Sequence, residues 1–307
     1  MPSFSVLPRD EGFFVPSSPC AGLSTITRLR IAKPKLKEQR MIKVPSLALA
    51  TASLFSCFTT VAQFADSVVS YTPGGGVSAT FTDPSRALGS PTGFIGYQNA
   101  DPFNPPYQST DLVSVGAGGS ITVQFDSPIL NSPTHSFGID FNIFGNSGFI
   151  ITNGDFSGGG ITDGSLFANN TGATRVWVSA DNLTYYQLDP SRAPVVDGLA
   201  PTDASGDFSR PINPALTQAD FAGKDLAGIR ALYNGSGGGA GYDISWAQDG
   251  LGNSVLLPSI SFVRVDVLSG KSEIDALAVV PEPSISCIAL CGLLVGAARK
   301  RFHRSMK

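Results

Sequence analysis

Between Val68 and Val280 the chain breaks into nine short runs of strand length: VVSYT, SATFT, SITVQF, FGIDFNIF, GFIITN, RVWVSA, TYYQL, ISFVRVDVL and IDALAVV. β-Branched and aromatic residues fill the runs, and Gly, Pro, Asn, Asp and Ser separate them, which is the pattern of a sheet protein. In Ser120–Phe125, the apolar Ile121, Val123 and Phe125 alternate with polar residues, so this strand has one buried face. Arg175–Ser179 puts Val176 and Val178 on one face and Trp177 on the other, which predicts cover on both sides. Ala180–Thr184 reads as a hairpin turn between RVWVS and YYQL. Helical spacing is confined to Thr217–Ala222 and Leu226–Leu232, and there is no internal repeat. Without βαβ alternation, the expected fold class is all-β, a single β-sandwich or jelly roll. Its long loops are expected over Asp101–Thr110, Asn153–Gly172 and Asp189–Gly241.

Charge divides the chain of 307 residues into three parts. Residues 63–280 hold 8 Lys and Arg against 20 Asp and Glu, a net of −12, while the two ends are basic. An acidic body of this kind excludes nucleic acid as a partner, because phosphates need Lys and Arg. All four cysteines, Cys20, Cys57, Cys287 and Cys291, lie outside the body, so no disulfide framework and no thiolate metal site can form within it.

The ends carry the signals of export. Met41 opens MIKVPSLALATASLFSCFTTVAQF, in which Lys43, an apolar run and Thr60-Val61-Ala62 form a Sec signal peptide over residues 41–62, cleaved before Gln63. Residues 1–40, which include TRLRIAKPKLKEQR, have no periodic pattern and are read as a spurious or disordered extension, with Met41 as the start. Phe55 is too bulky for Leu54–Cys57 to serve as a lipoprotein box. At the other end, Ile285–Ala298 is an apolar run of 14 residues. As a helix it reaches roughly 21 Å, short of the ~30 Å hydrocarbon core of a bilayer. The bases Arg299, Lys300, Arg301 and Arg304 follow it directly and would hold the C-terminus on the cytoplasmic side.

Val280-Pro281-Glu282-Pro283-Ser284, the short apolar run and the terminal basic cluster together resemble a PEP-CTERM sorting signal, covering residues 280–307. That resemblance implies a sorting motif of Pro281, Glu282, Pro283, Arg299, Lys300 and Arg301. It implies a protease-transpeptidase of the exosortase type as partner, a transient inner-membrane intermediate with a short transmembrane helix, and a Gram-negative source that makes extracellular polysaccharide. Proline disfavours helix on its N-terminal side, so the Pro-Glu-Pro segment would stand extended just outside the membrane.

The body, residues 63–279, resembles a family of secreted β-sandwiches that carry the same tag. The resemblance rests on Tyr71–Gly74, Asp83–Pro91, Val113–Ser120, Phe125–Ile129, Phe141–Asn146, Trp177–Asp181, Leu232–Gly239, Tyr242–Ile244, Phe262–Val265 and Glu273–Leu277. It implies a galactose-binding-like jelly roll. Such domains often carry a structural calcium between an early loop and the last strand, which points to Asp83, Glu273 and Asp275 as ligands. The competing partners of Asp275 are Arg86, Arg264 or backbone amides. No D-x-D-x-D-G loop is present.

Catalytic signatures are weak. The body has one histidine, His135, in a polar segment with Pro133, where it is expected to be exposed, and no G-x-S-x-G elbow accompanies it. Of the 20 acids, 19 are Asp, and Asp163, Asp197, Asp203 and Asp207 stand at turn positions where Asp bonds to its own backbone. The aromatics available to a glycan are Tyr97, Tyr107, Trp177, Tyr185, Tyr186 and Trp246. The Gly-rich runs 74–76, 158–160 and 237–239 lack a following Lys-Ser/Thr and are loops. The expectation is an exported, non-enzymatic protein of the cell surface or extracellular matrix, with a structural or adhesive role and glycan as ligand class. The alternative is a secreted polysaccharide hydrolase using a carboxylate pair. No catalytic residue is assigned.

Overall fold

The computed structural model describes residues 62–168 and 173–282. The expected signal peptide, the short transmembrane helix, and Pro283, Arg299, Lys300 and Arg301 lie outside the described residues. Among the described residues no helix is long and apolar enough to cross a membrane. The elements in chain order are β1 (Ser67–Thr72), β2 (Val113–Gly116), β3 (Ser120–Leu130), β4 (Phe141–Gly145), β5 (Gly148–Ile151), β6 (Ile161–Phe167), β7 (Thr174–Ser179) and β8 (Tyr186–Leu188). Then follow α1 (Gln218–Phe221), β9 (Lys224–Asp225), α2 (Leu226–Tyr233), β10 (Ala240–Tyr242), β11 (Ala247–Gln248), β12 (Ser259–Val267) and β13 (Lys271–Val279). The fold is all-β as expected, with every ladder antiparallel.

One sheet has the order β1-β3-β12-β7-β8-β11 and a second β10-β4-β13-β2. Their inward residues form one core. Ile121, Val123 and Phe125 of β3, Val263, Val265 and Val267 of β12, and Val176 and Val178 of β7 meet Val113, Ile143, Ile274 and Leu277 of the second sheet. The alternation in Ser120–Phe125 therefore selects this face, and Trp177 points the other way, half-buried. Between Gln124 and Ile129 the β3–β12 register shifts. Pro128 falls in that interruption, where its missing N–H breaks no ladder bond.

A third sheet, β5-β6-β9, stacks with α1 and α2 over a smaller core of Phe149, Leu166, Ala200, Ile212, Phe221, Ile229 and Tyr233. Here the loop expectations need correction. Residues 153–172 contain β6, and 189–241 contain α1, β9, α2 and the start of β10. The two stretches with helical spacing do become α1 and α2. Asp225 caps α2 through the amide of Gly228 (2.8 Å), and Asn234 ends it in the left-handed region. SATFT is not a strand: Ala79–Phe81 is a 3-10 turn, closed when the Thr82 hydroxyl donates to the Ala79 carbonyl (2.9 Å). Local hydroxyl bonds win where no neighbouring strand offers a ladder.

The two ends of the described region meet in the second sheet. Ala65 N–H donates to Leu277 O (3.1 Å), and Val279 N–H donates to Gln63 O (2.8 Å). The first described residues thus run along the last strand.

Candidate functional site

The six candidate aromatics separate by exposure. Trp246 is 8% exposed, with the Arg192 guanidinium 5.0 Å from its ring centroid, beside a cavity of about 160 Å³ lined also by Ile212, Asn213 and Leu216. Trp177, Tyr185 and Tyr186 are half-buried on the six-stranded sheet and the turn before β8. Tyr97 and Tyr107 are 63% and 51% exposed, and Phe94 beside them is also exposed.

Residues 92–111, which carry these three rings, are built on carboxylates. Asp101 accepts from the amides of Phe103 (2.8 Å) and Asn104 (3.0 Å) and from the side chains of Asn104 and Gln98. Gln108 Nε2 donates to Ile95 O (2.9 Å), which ties the Tyr107 segment to the Tyr97 segment. The start of the loop is pinned to β13, where Asp275 accepts from the amide and the hydroxyl of Thr92, both at 2.8 Å. Asp275 is almost fully buried, and burial, followed by the nearby charge of Asp111, pushes its carboxyl up to about 7 against the two Thr92 donors. The loop thus offers an exposed aromatic surface on a backbone held by internal bonds, an arrangement suited to a flat, partly apolar ligand face.

The three carboxylates expected to hold calcium have protein partners. The 3-10 turn Pro84–Ala87, capped by Asp83, does pack against β13. Asp83 itself accepts from the amide (3.1 Å) and hydroxyl (2.6 Å) of Ser85 and pairs with Arg86 Nε (3.0 Å). The Ser85 hydroxyl is the first cause that lowers its carboxyl below the usual range. Glu273 accepts from Lys271 Nζ (2.7 Å) and from Asn146 Nδ2. Asp275 takes the backbone-amide alternative through Thr92, while Arg264 turns to Asp266 (2.7 Å). Among the described residues no three His, Cys, Asp or Glu side chains gather as a metal site.

Two polar centres were not legible as such. Asp197 stands in a turn as expected, but it is buried there, and its carboxylate accepts from the amides of Asn146 (2.6 Å) and Ser147 (2.8 Å). His135, expected to be exposed, is 4% exposed. Its Nδ1 lies 2.7 Å from Asp140 Oδ1, and Asp140 also accepts from the amides of Ser132 (3.1 Å) and Ile244 (2.8 Å). Burial is the first influence on Asp140 and raises its carboxyl, and the amide donors and the imidazole oppose it. The segment is polar in sequence, yet Asp140 five residues on gives the ring a partner it can be buried with. No family model matches the chain, and no curated protein does.

Proposed function

We propose that this chain is an exported protein of the cell surface or extracellular matrix. Its sandwich, taken as a galactose-binding-like jelly roll, acts without catalysis as a structural or adhesive module that binds glycan. The export and sorting part rests on the sequence of residues 41–62 and 280–307, and its partner is a membrane protease of the exosortase type. The glycan part rests chiefly on one observation: Tyr97 and Tyr107 are exposed on a loop that Asp275, Asp101 and Gln108 hold in shape. Aromatic faces outside a core supply apolar contact area at low entropic cost, which suits the C–H faces of sugar rings.

A glycan array and a polysaccharide pull-down with the whole protein test this, beside a hydrolysis screen on the same polymers. The expected outcome is binding that falls at least about tenfold in Tyr97→Ala/Tyr107→Ala, the loss of roughly 1.4 kcal/mol of contact, with no polymer turnover. Turnover abolished by a single Asp→Asn change would put the hydrolase in its place.

A further inference from the structure

The Pro-Glu-Pro segment is not free where it leaves the domain. After β13, Val280 N–H donates to the backbone oxygen of Asp140 (2.9 Å). Two residues on, Glu282 Oε2 accepts from the hydroxyls of Ser132 (3.0 Å) and Thr134 (3.2 Å). Glu282 Oε1 lies 3.5 Å from His135 Nε2, within ion-pair reach, and that nitrogen has no closer hydrogen-bond partner. The imidazole is fixed from behind by Asp140 Oδ1 at 2.7 Å, and its side chain is 1% exposed. The turn is shaped to present these groups: His135 N–H donates to Ser132 O (3.2 Å), and Thr134 N–H donates to Ser132 Oγ (3.4 Å). Two hydroxyls and a buried ring nitrogen converge on one carboxylate that reaches them from about 150 residues further along the chain.

We propose that Ser132, Thr134 and His135 form a carboxylate-binding cradle whose ligand is the chain's own Glu282, and that the cradle withholds Pro-Glu-Pro from the processing enzyme until it opens. The withholding rests on the sorting function proposed above; the cradle does not. The Glu282 side chain stays 43% exposed, but the carboxylate oxygens that a second protein would read are committed to Ser132, Thr134 and His135. The enzyme therefore acts only on the open fraction, and its apparent affinity falls in proportion to that fraction. The Nε2 contact with Glu282 Oε1, at 3.5 Å, stands beside the two hydroxyl bonds on the same carboxylate.

The test uses the full chain in detergent micelles, with amide hydrogen exchange read at Val280, whose N–H is bonded to Asp140 O, and in parallel the processing rate in an exporting host. Ser132→Ala/Thr134→Val removes both hydroxyls and leaves the tag sequence intact. Exchange at Val280 is expected to accelerate about tenfold, as the loss of two hydrogen bonds implies, while Ile274–Leu277 in β13 stay protected, and processing is expected to quicken. Glu282→Gln, read by exchange alone, is expected to do the same at Val280. Unchanged exchange in both variants overturns the cradle. Faster exchange with wild type and variant processed at the same rate overturns the withholding. Faster exchange with no processing of either leaves the cradle standing and removes the sorting function on which the withholding rests. Should the double variant lose protection in β13, Thr134→Val alone carries the measurement.

Discussion

Asp275 is a carboxyl placed where water cannot reach it, and its two bonds to Thr92 both hold the start of the loop over residues 92–111. Its acidity gives the domain a pH signature with a definite sign. In the unfolded chain an aspartate ionises near ~3.9, whereas in the folded protein Asp275 keeps its proton up to about 7. Between these values the folded state binds more protons, so Asp275 makes stability fall as pH rises from about 4 to about 7, and contributes no further slope above that. Asp275→Asn is expected to flatten this part of the profile, with a melting temperature higher than wild type at pH 8 and a difference that closes toward pH 4, measured by calorimetry. A wild-type profile that rises over this window relative to Asp275→Asn would contradict the assignment. The other aspartates behave differently. Asp83, Asp155, Asp163, Asp189, Asp203 and Asp207 each stand two residues before a serine, and each takes that serine's amide and hydroxyl on one oxygen. The D-x-S spacing was visible in the sequence and marks these residues as local turn-formers, and Asp203, itself buried, also takes Arg230 Nε at 2.7 Å. Asp140, Asp197 and Asp275 have no such serine, and their partners lie far along the chain except for the neighbours of Asp140. No local pattern could have marked them.

At the level of elements, strands were legible wherever hydrophobic side chains alternate. β3, β7 and β12 fall where their Val and Ile positions require, and the turn Ala180–Thr184 joins β7 to β8 as its composition suggests, with Asp181 taking the amides of Leu183 and Thr184. β6 was not legible, because its inward positions are Thr162, Gly164 and Leu166. Gly164 is there for close approach: its φ is +90°, and a Cβ would come within 2.0 Å of the Gln218 carbonyl oxygen at the start of α1. The tie between β4, β5 and β13 depends on Asp197 in the same way, since a Cβ on Gly145 would meet its carboxylate at 2.2 Å. Asp197→Ala leaves two buried amide donors, those of Asn146 and Ser147, without this acceptor. The expected cost is on the order of 2–5 kcal/mol, read as a shift of the urea midpoint at unchanged slope. A loss below about 1 kcal/mol would mean that those amides find other acceptors.

For the whole molecule, the acidic body and the basic ends were legible from charge alone, and the second core under α1 and α2 was not, because its residues are spread from Phe149 to Tyr233 and only Phe221 and Ile229 fall in the runs with helical spacing. The sorting proposal makes its own prediction at this scale. Mass spectrometry of the surface form is expected to show a chain without residues beyond about Pro283; a form that still carries Arg304 would make the terminal segment a lasting anchor.

The placement of the last hairpin has a consequence for how the protein is made. β12 lies between β3 and β7, β13 lies between β4 and β2, and residues 63–65 run beside β13. A chain that emerges from its N-terminus therefore cannot complete either of the two large sheets until its final strands have appeared. A product that stops between β11 and β12 exposes the edges of β3, β7, β4 and β2 at once, and one that stops between β12 and β13 still exposes those of β4 and β2, open to proteases and to pairing with other chains. Completion of the fold thus reports that translation has passed residue 279, so the folded shape itself records that the last strand has been made.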